Sequence, residues 1–398
     1  MAKSQEQLQQ TRSATSLIYD PKFRSIAFQV LLLVGLVVFG WWIVNNTITN
    51  LQAQNKTTGF DFLGITSGFN IGFTLIEYDR SSTYFDVFVV GILNTLLVAV
   101  IGIILATLLG FTIGIARLSN NWIIARLATV YIEVIRNIPL LLQLFFWYFA
   151  VLKTMPAVKD SIEFVTGSVY LNNRGLYVPD PNPNDAFVWV QVAIIAVIIG
   201  GFFLHRWARI RQEQTGQRFP FVPVFIASVI VVPAIIWLLS GARIDLDYPI
   251  LGRFNFAGGI QIPPEFVALL FGLVIYTAAF IAETVRAGIL AVNTGQTEAA
   301  QSLGLKNSDR LNLVIIPQAM RVIVPPLTSQ YLNLTKNSSL AVAIGYPDIV
   351  NVFMGTALNQ SGKAVEVIFM TMMVYLTLSL FTSVIMNIYN ARVALTER

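Results

Sequence analysis

Long apolar runs, each about the length of a membrane-crossing helix, recur eight times along the chain and are separated by polar segments. They cover residues 26–44, 87–116, 131–152, 188–204, 221–239, 266–289, 322–344 and 367–388. A helix needs about 20 mostly apolar residues to cross a hydrocarbon core of about 30 Å, where only helices and closed barrels satisfy their own backbone groups. The pattern therefore predicts an all-α integral membrane protein with eight transmembrane helices. The second run is long enough to tilt or protrude.

The polar segments set the expected orientation, because short cytoplasmic connections are enriched in Lys and Arg. One side holds Lys3, Arg12, Lys22, Arg24, Arg117, Arg126, Arg206, Arg209, Arg211, Arg218, Lys306, Arg310, Arg321, Arg392 and Arg398. The other holds Lys56, Arg80, Lys153, Lys159, Arg174, Arg243, Arg253 and Lys363. The first side is expected to be cytoplasmic, with both termini there, as an even number of spans requires. The start of the chain agrees: Pro21-Lys22-Phe23-Arg24 leads into an apolar run with no small-residue cleavage site, unlike a signal peptide. Trp41, Trp42, Trp147, Trp189 and Trp237 fall near span ends, where amphipathic rings anchor at the interface.

The resulting layout is a cytoplasmic tail (1–25), a first span with an outer loop (26–86), a core part (87–152), an outer loop with two extra spans (153–262) and a second core part (263–398). The second core part contains a cytoplasmic loop at 291–320. The outer segment 153–187, with Pro179-Asp180-Pro181-Asn182-Pro183, reads as ordered decoration or a docking surface.

Composition narrows the chemistry. Of 398 residues, 55% are hydrophobic and 12% charged, and the mean hydropathy is +0.68, so the bilayer is the solvent. The net charge of +5 is explained by sorting to the inner face, which removes the case for a nucleic-acid partner. With no Cys and only His205, disulfides, thiol chemistry, Cys/His zinc sites and a Ser-His-Asp triad have almost nothing to build on. Two pairs echo each other near cytoplasmic span ends, Glu133 with Arg136 and Glu283 with Arg286. At i,i+3 on a helix such pairs serve as ion pairs or snorkelling anchors.

The stretch Gly295-Gln296-Thr297-Glu298-Ala299-Ala300-Gln301-Ser302-Leu303-Gly304 has the chemistry of a short capped helix. Thr297 is the expected cap, Glu298 complements the dipole, Ala299 and Ala300 favour helix, and Gly304 supplies a left-handed stop. Ser308 and Asp309 suit the start of another helix, whose reach Pro317 is expected to limit. On local propensity alone, an ordinary loop between spans fits equally well.

This stretch, with Ala282-Glu283-Thr284-Val285-Arg286-Ala287-Gly288-Ile289 before it and Ile316-Pro317-Gln318-Ala319 after it, resembles the coupling motif of ABC importer permeases, and of polar amino-acid permeases in particular. Glu133-Val134-Ile135-Arg136-Asn137-Ile138-Pro139-Leu140-Leu141-Leu142-Gln143 and Lys336-Asn337-Ser338-Ser339-Leu340 agree. The resemblance covers about 91–152 and 263–391. Gly59-Phe60-Asp61-Phe62-Leu63, the length and the eight spans resemble the larger, general L-amino acid branch. Ser338 stands where the family has Thr, and Ile316 where it has Leu.

The resemblance implies a type I importer permease fold and an ATP-driven route for amino acids. It implies that the helix around Glu298 docks in a groove of an ATPase subunit, with Gly295, Gln296, Ala299, Ala300, Gly304 and Pro317 shaping the contact. The implied partners are two ATP-binding subunits, a periplasmic amino-acid-binding protein and a related but distinct second permease, with membrane lipid around them. ATP and Mg belong to the ATPase partner; no cofactor is expected on this chain, which lacks a Gly-x-x-x-x-Gly-Lys-[Ser/Thr] phosphate cradle.

Polar groups inside hydrocarbon are costly and tend to line a path or a bundle interior. Lys336 stands out: counted from Val322, it lies roughly 21 Å above the inner face. With Asn337, Ser338 and Ser339 it is a candidate to hold a substrate carboxylate, the alternative being an outward-snorkelling anchor. Gln143, Asn94 and Thr95 are weaker path candidates, since such groups also join helices. An ion-coupled carrier is disfavoured because spans one, two, four, five and eight carry no charge. An intramembrane enzyme is disfavoured because no nucleophile-base pair lies on a span.

Overall fold

A computed structural model describes residues 21–53, 59–217 and 219–393. Most of the predicted tail, together with Lys3, Arg12, Lys56, Arg218 and Arg398 of the charge asymmetry, lies outside the described residues. Among those described, seven helices are long and apolar enough to cross a membrane, or eight when one bent pair is taken as a single span.

Helix α1 (Pro21–Ala53) is apolar on every side and exposed along its length. Helix α2 (Tyr84–Ala116) starts at a reciprocal cap: the Thr83 backbone N–H donates to Asp86 Oδ2 at 2.8 Å, and the Asp86 N–H donates to Thr83 Oγ1 at 3.4 Å. The C-terminal half of α2 carries the small residues Ala106, Gly110 and Gly114 on one buried side. The helix packs against α7 (Pro264–Leu290), the central helix, over most of their shared length. A Cβ on Gly110 would sit 2.6 Å from Ile281 Cβ, and one on Gly114 would sit 2.7 Å from the Ala282 carbonyl. Small residues let the two backbones approach, and in lipid close packing takes over the role that hydrophobic burial has in water.

The run expected as a span at 131–152 is not one straight helix. It consists of α3 (Trp122–Asn137) and α4 (Leu140–Phe145, continuing in a wide π-type turn Phe146–Leu152), bent by 104°. Pro139 lacks the N–H that would continue the ladder and pushes Ile138 out of the helical region, to φ −100° and ψ 127°. Gln143 satisfies the carbonyls freed by the break, donating from Nε2 to the Ile135 and Ile138 oxygens at 2.9 Å each.

The segment expected on the outer side is ordered. Strands β1 (Ile162–Val165), β2 (Val169–Asn172) and β3 (Gly175–Val178) form an antiparallel sheet closed by β8 (Ile260–Ile262). Tyr177 is buried there and donates to Asn255 Oδ1 at 2.8 Å. Strands β4 (Asp180–Pro183) and β5 (Ile244–Asp247) pair with each other, as do β6 (Ile250–Leu251) and β7 (Phe256–Ala257). Between β4 and β5 the chain runs down α5 (Phe187–Thr215) and back up α6 (Phe221–Ser240). The class remains helical, with three small sheets in its loops.

Beyond α7 come α8 (Thr294–Ser302), a single turn α9 (Asn307–Arg310), a wide turn Leu311–Ile315 and α10 (Ile316–Asn337). Pro317 does not limit the helix before it. The wide turn absorbs the missing N–H, and helix continues through α10, which also carries Pro325 and Pro326. A 3-10 segment Ser338–Ile344, a wide helical segment Val350–Ala357, α11 (Leu358–Ser361) and α12 (Ala364–Val393) complete the chain.

Candidate functional site

The knuckle between α7 and α10 is built by its own caps. Asn293, rather than Thr297, starts α8: its Oδ1 accepts the Gly295 N–H at 2.8 Å, one turn earlier than the sequence pattern places the cap. Thr297 and Glu298 are consequently mid-helix. Gly304 takes φ +74°. The Leu305 N–H donates to the Ala300 carbonyl at 3.2 Å and the Gly304 N–H to Gln301 at 2.9 Å, which closes the helix in a double-bonded stop. Ala300 is buried and Ala299 exposed, so the adjacent alanines have different tasks, one seating the helix and one facing outward. Gln318 of α10 donates to Gln296 Oε1 at 3.2 Å, tying the knuckle to the next span. Glu298 stands exposed, and along the same connection Leu303, Leu311, Leu313 and Ile316 are exposed apolar side chains. Leu303 is 80% exposed at a helix end that local packing alone would cover.

Behind the knuckle, the ends of three helices meet in an ionic cluster. Glu283 of α7 accepts from Arg286 Nη2 at 2.6 Å and also pairs with Arg117 at the end of α2. Arg117 reaches Glu133 of α3 at 3.4 Å. The expected Glu283–Arg286 pair is therefore present, but Glu133 and Arg136 do not pair. Arg136 lies over the Phe280 ring at 5.1 Å instead. Arg117, on sequence grounds only an orientation charge, is the residue that joins all three helices. Its position one residue past a 33-residue apolar helix was the available signal. A cleft of about 290 Å³ opens beside the cluster, lined by Arg136, Phe280, Thr284, Val322, Pro326 and Gln330 among others.

Lys336 sits in the last turn of α10, exposed, with no hydrogen bond or ion pair from its ammonium among the described residues. Beyond Ile316 in its first turn, the exposed positions of α10 are Val322, Pro325, Pro326, Ser329, Asn333 and Lys336. They recur at helical spacing, so they form one stripe that becomes polar toward Lys336 and reaches the 290 Å³ cleft at Val322 and Pro326. Ser338 is not a partner for Lys336: it is fully buried and its hydroxyl donates to the Thr335 carbonyl at 2.7 Å. Ser339 donates likewise to the Lys336 carbonyl at 2.7 Å. Both hydroxyls are spent on tightening the helix end, a common use of Ser after a helical turn. Asn337 is half-buried beside them.

The three weaker candidates act as ties. Asn94, fully buried on α2, donates to the Phe73 and Pro347 carbonyls at 3.0 and 2.8 Å. Thr95 accepts the Ile349 N–H at 3.2 Å, while a Cβ on Gly91 would come within 2.8 Å of Ile349 Cα. Together they pin the segment after the 3-10 turn onto α2. Gln143 holds the α3–α4 break, as described above. Asp348, which no motif marked, is fully buried in the pinned segment and accepts the Asn351 N–H at 2.9 Å, capping the helical segment that follows.

A bundle of apolar spans, with a capped and outward-facing knuckle between two of them and a polar stripe on a span, is the frame of a multi-pass membrane protein. The comparisons agree. The family described as "Binding-protein-dependent transport system inner membrane component" matches residues 201–395. The chain is 51% identical over 386 residues, 97% of its length and 96% of the relative's, to the "General L-amino acid transport system permease protein AapQ" of Rhizobium johnstonii. It is 50% identical, across 95% of this chain and 96% of the relative, to the "Putative amino-acid ABC transporter permease protein YhdX" of Escherichia coli. It is 42% identical, across 96% of each chain, to the "Glutamate/glutamine/aspartate/asparagine transport system permease protein BztB" of Rhodobacter capsulatus. The chain belongs to the family of amino-acid ABC transporter permeases and is a multi-pass inner-membrane protein.

Proposed function

We propose that this chain forms the path by which general L-amino acids pass from periplasm to cytoplasm in an ATP-driven importer. Hydrolysis takes place on two ATP-binding subunits that carry ATP and Mg. A periplasmic binding protein delivers the substrate, and a related second permease completes the membrane core. The observation that carries this reading is α8: its helix is closed by its own caps, tied by Gln296 to α10, and turns Glu298, Ala299 and Leu303 outward, away from any cover in this chain. The names of the relatives support the substrate class, and AapQ's supports its breadth.

The path is assigned to the exposed stripe of α10. An ammonium and two polar side chains on a span are too costly to face acyl chains, so Lys336, Asn333 and Ser329 require water or another subunit. Uptake of labelled L-amino acids by proteoliposomes holding the purified native complex should require both ATP hydrolysis and the binding protein. Uptake that persists without hydrolysis and follows an ion gradient would overturn the assignment.

Both termini and α8 are assigned to the cytoplasm, from the Lys and Arg asymmetry. A Cys introduced at Ser308, beside α8, should react with an impermeant maleimide only after the membrane is opened. One introduced at Ser168, in the β1–β2 turn, should react in intact cells. The reverse pattern would invert the orientation.

A further inference from the structure

The α5–α6 hairpin stands apart from the core. Its two helices pack chiefly on each other, with Gly201 under the Phe225 ring and Phe187 edge-on to Trp237 at 5.6 Å, and neither packs extensively on the core helices. Its apolar residues Ile195, Ile199, Phe202, Ile226, Ile230 and Leu238 are exposed, so acyl chains surround it. Trp189 and Trp207 are 18 residues apart on α5, about 27 Å along the axis. That matches a hydrocarbon core of about 30 Å and puts Trp207 at the interface opposite the sheets.

The side chains around Trp207 form a collar. Arg211 lies over the Trp207 ring at 5.3 Å, Phe219 meets that ring edge-on at 5.4 Å, and His205 meets Phe221 at 4.8 Å. Arg209 is occupied by Glu213 at 3.1 Å. Arg206 has no hydrogen-bond or ion-pair partner among the described residues, and both it and Arg211 are exposed. Arg211 sits against the aromatic anchor and Arg206 about one turn and a half earlier at the same end of α5, about 140° away around the helix; each planar fork matches a phosphate at headgroup depth.

We propose that this collar binds the phosphates of anionic phospholipids, Arg206 and Arg211 each holding one on its own side of α5, and so anchors a hairpin that the core does not hold. Charge complementarity selects the occupant, because a guanidinium near an anionic membrane surface gains about fivefold in affinity. Zwitterionic lipids carry the phosphate but cancel its charge.

The test is native mass spectrometry of the full complex, titrated with phosphatidylglycerol or phosphatidylcholine of the same chains. Wild type should retain phosphatidylglycerol preferentially. The Arg206→Gln, Arg211→Gln double variant should lose that preference by roughly 5- to 30-fold, at about fivefold per guanidinium. The Arg206→Lys, Arg211→Lys variant should keep most of it, which separates charge from folding. Inorganic phosphate in millimolar excess should leave retention unchanged. Equal retention of the two lipids by wild type, an undiminished preference in the Gln variant, or displacement by free phosphate would each overturn the proposal. Loss of the ATPase chain from the Gln variant with lipid preference intact would make the collar a protein contact and overturn it too.

Discussion

A complex carrying Glu298→Arg should assemble and still hydrolyse ATP, yet move almost no substrate. Glu298 is exposed in the middle of α8, so its replacement disturbs neither the packed spans nor the two caps that define the helix. What changes is the outward surface, where a carboxylate framed by Ala299 and Leu303 becomes a cation. If that surface is the contact with the ATP-binding subunit, charge reversal at its centre removes a dominant contact residue. Losses at such residues start at about 2 kcal/mol, roughly 30-fold in the strength of the contact. Substrate-stimulated ATPase and uptake should separate in proteoliposomes, the first becoming independent of substrate and the second falling to background. Normal values for both would remove α8 from coupling. Gly304 provides an independent check, because a bulky residue there is forced out of φ +74°. The double-bonded stop should then loosen with Glu298 untouched, and uptake should fall in the same way.

The second large effect is expected at Lys336. Met keeps most of the stem length and removes the charge, so a structural anchor and a substrate contact give different outcomes. Lys336 has no partner among the described residues, and its stripe runs toward the cleft beside Arg136. Every amino-acid substrate carries a carboxylate, for which an ammonium is the matching donor. A charge-assisted hydrogen bond contributes about 1.5–3 kcal/mol, so Lys336→Met should lower uptake roughly 10- to 150-fold with assembly and basal ATPase retained. Lys336→Arg should be milder. Wild-type uptake kinetics in a well-assembled Met variant would exclude the contact, and a low yield of folded complex would indicate an anchor instead. In such a contact Asn333 and Asn337 are better placed to assist Lys336 than Ser338 and Ser339, whose hydroxyls already donate to backbone carbonyls.

The local sequence determined the class, the approximate places of the helices and the short helix around Glu298 with its Gly304 stop. These depend on signals carried in the local chain: the cost of leaving backbone groups unpaired in lipid, the periodicity of apolar runs and the left-handed preference of Gly304. The same local view placed the cap of α8 at Thr297 rather than Asn293, since both residues suit the role, and in the fold it is Asn293 that accepts the Gly295 N–H. It read 131–152 as one unbroken run because composition is blind to the 104° bend. The bend needs Pro139 together with Gln143 folding back on two carbonyls, and that second part is visible only in three dimensions.

Tertiary structure alone decided which polar residues remain available. Asn94, Thr95 and Gln143 look like path residues in a list of intramembrane polar groups, yet each is committed to a backbone partner brought near by the fold. Glu133 and Arg136 have ideal i,i+3 spacing, but Arg117 arrives from another helix and takes Glu133, leaving Arg136 to the Phe280 ring. Local sequence sets what a side chain is able to bond. The packing of distant segments determines what it does bond, because a buried polar group takes whichever partner the fold supplies to offset its lost hydration.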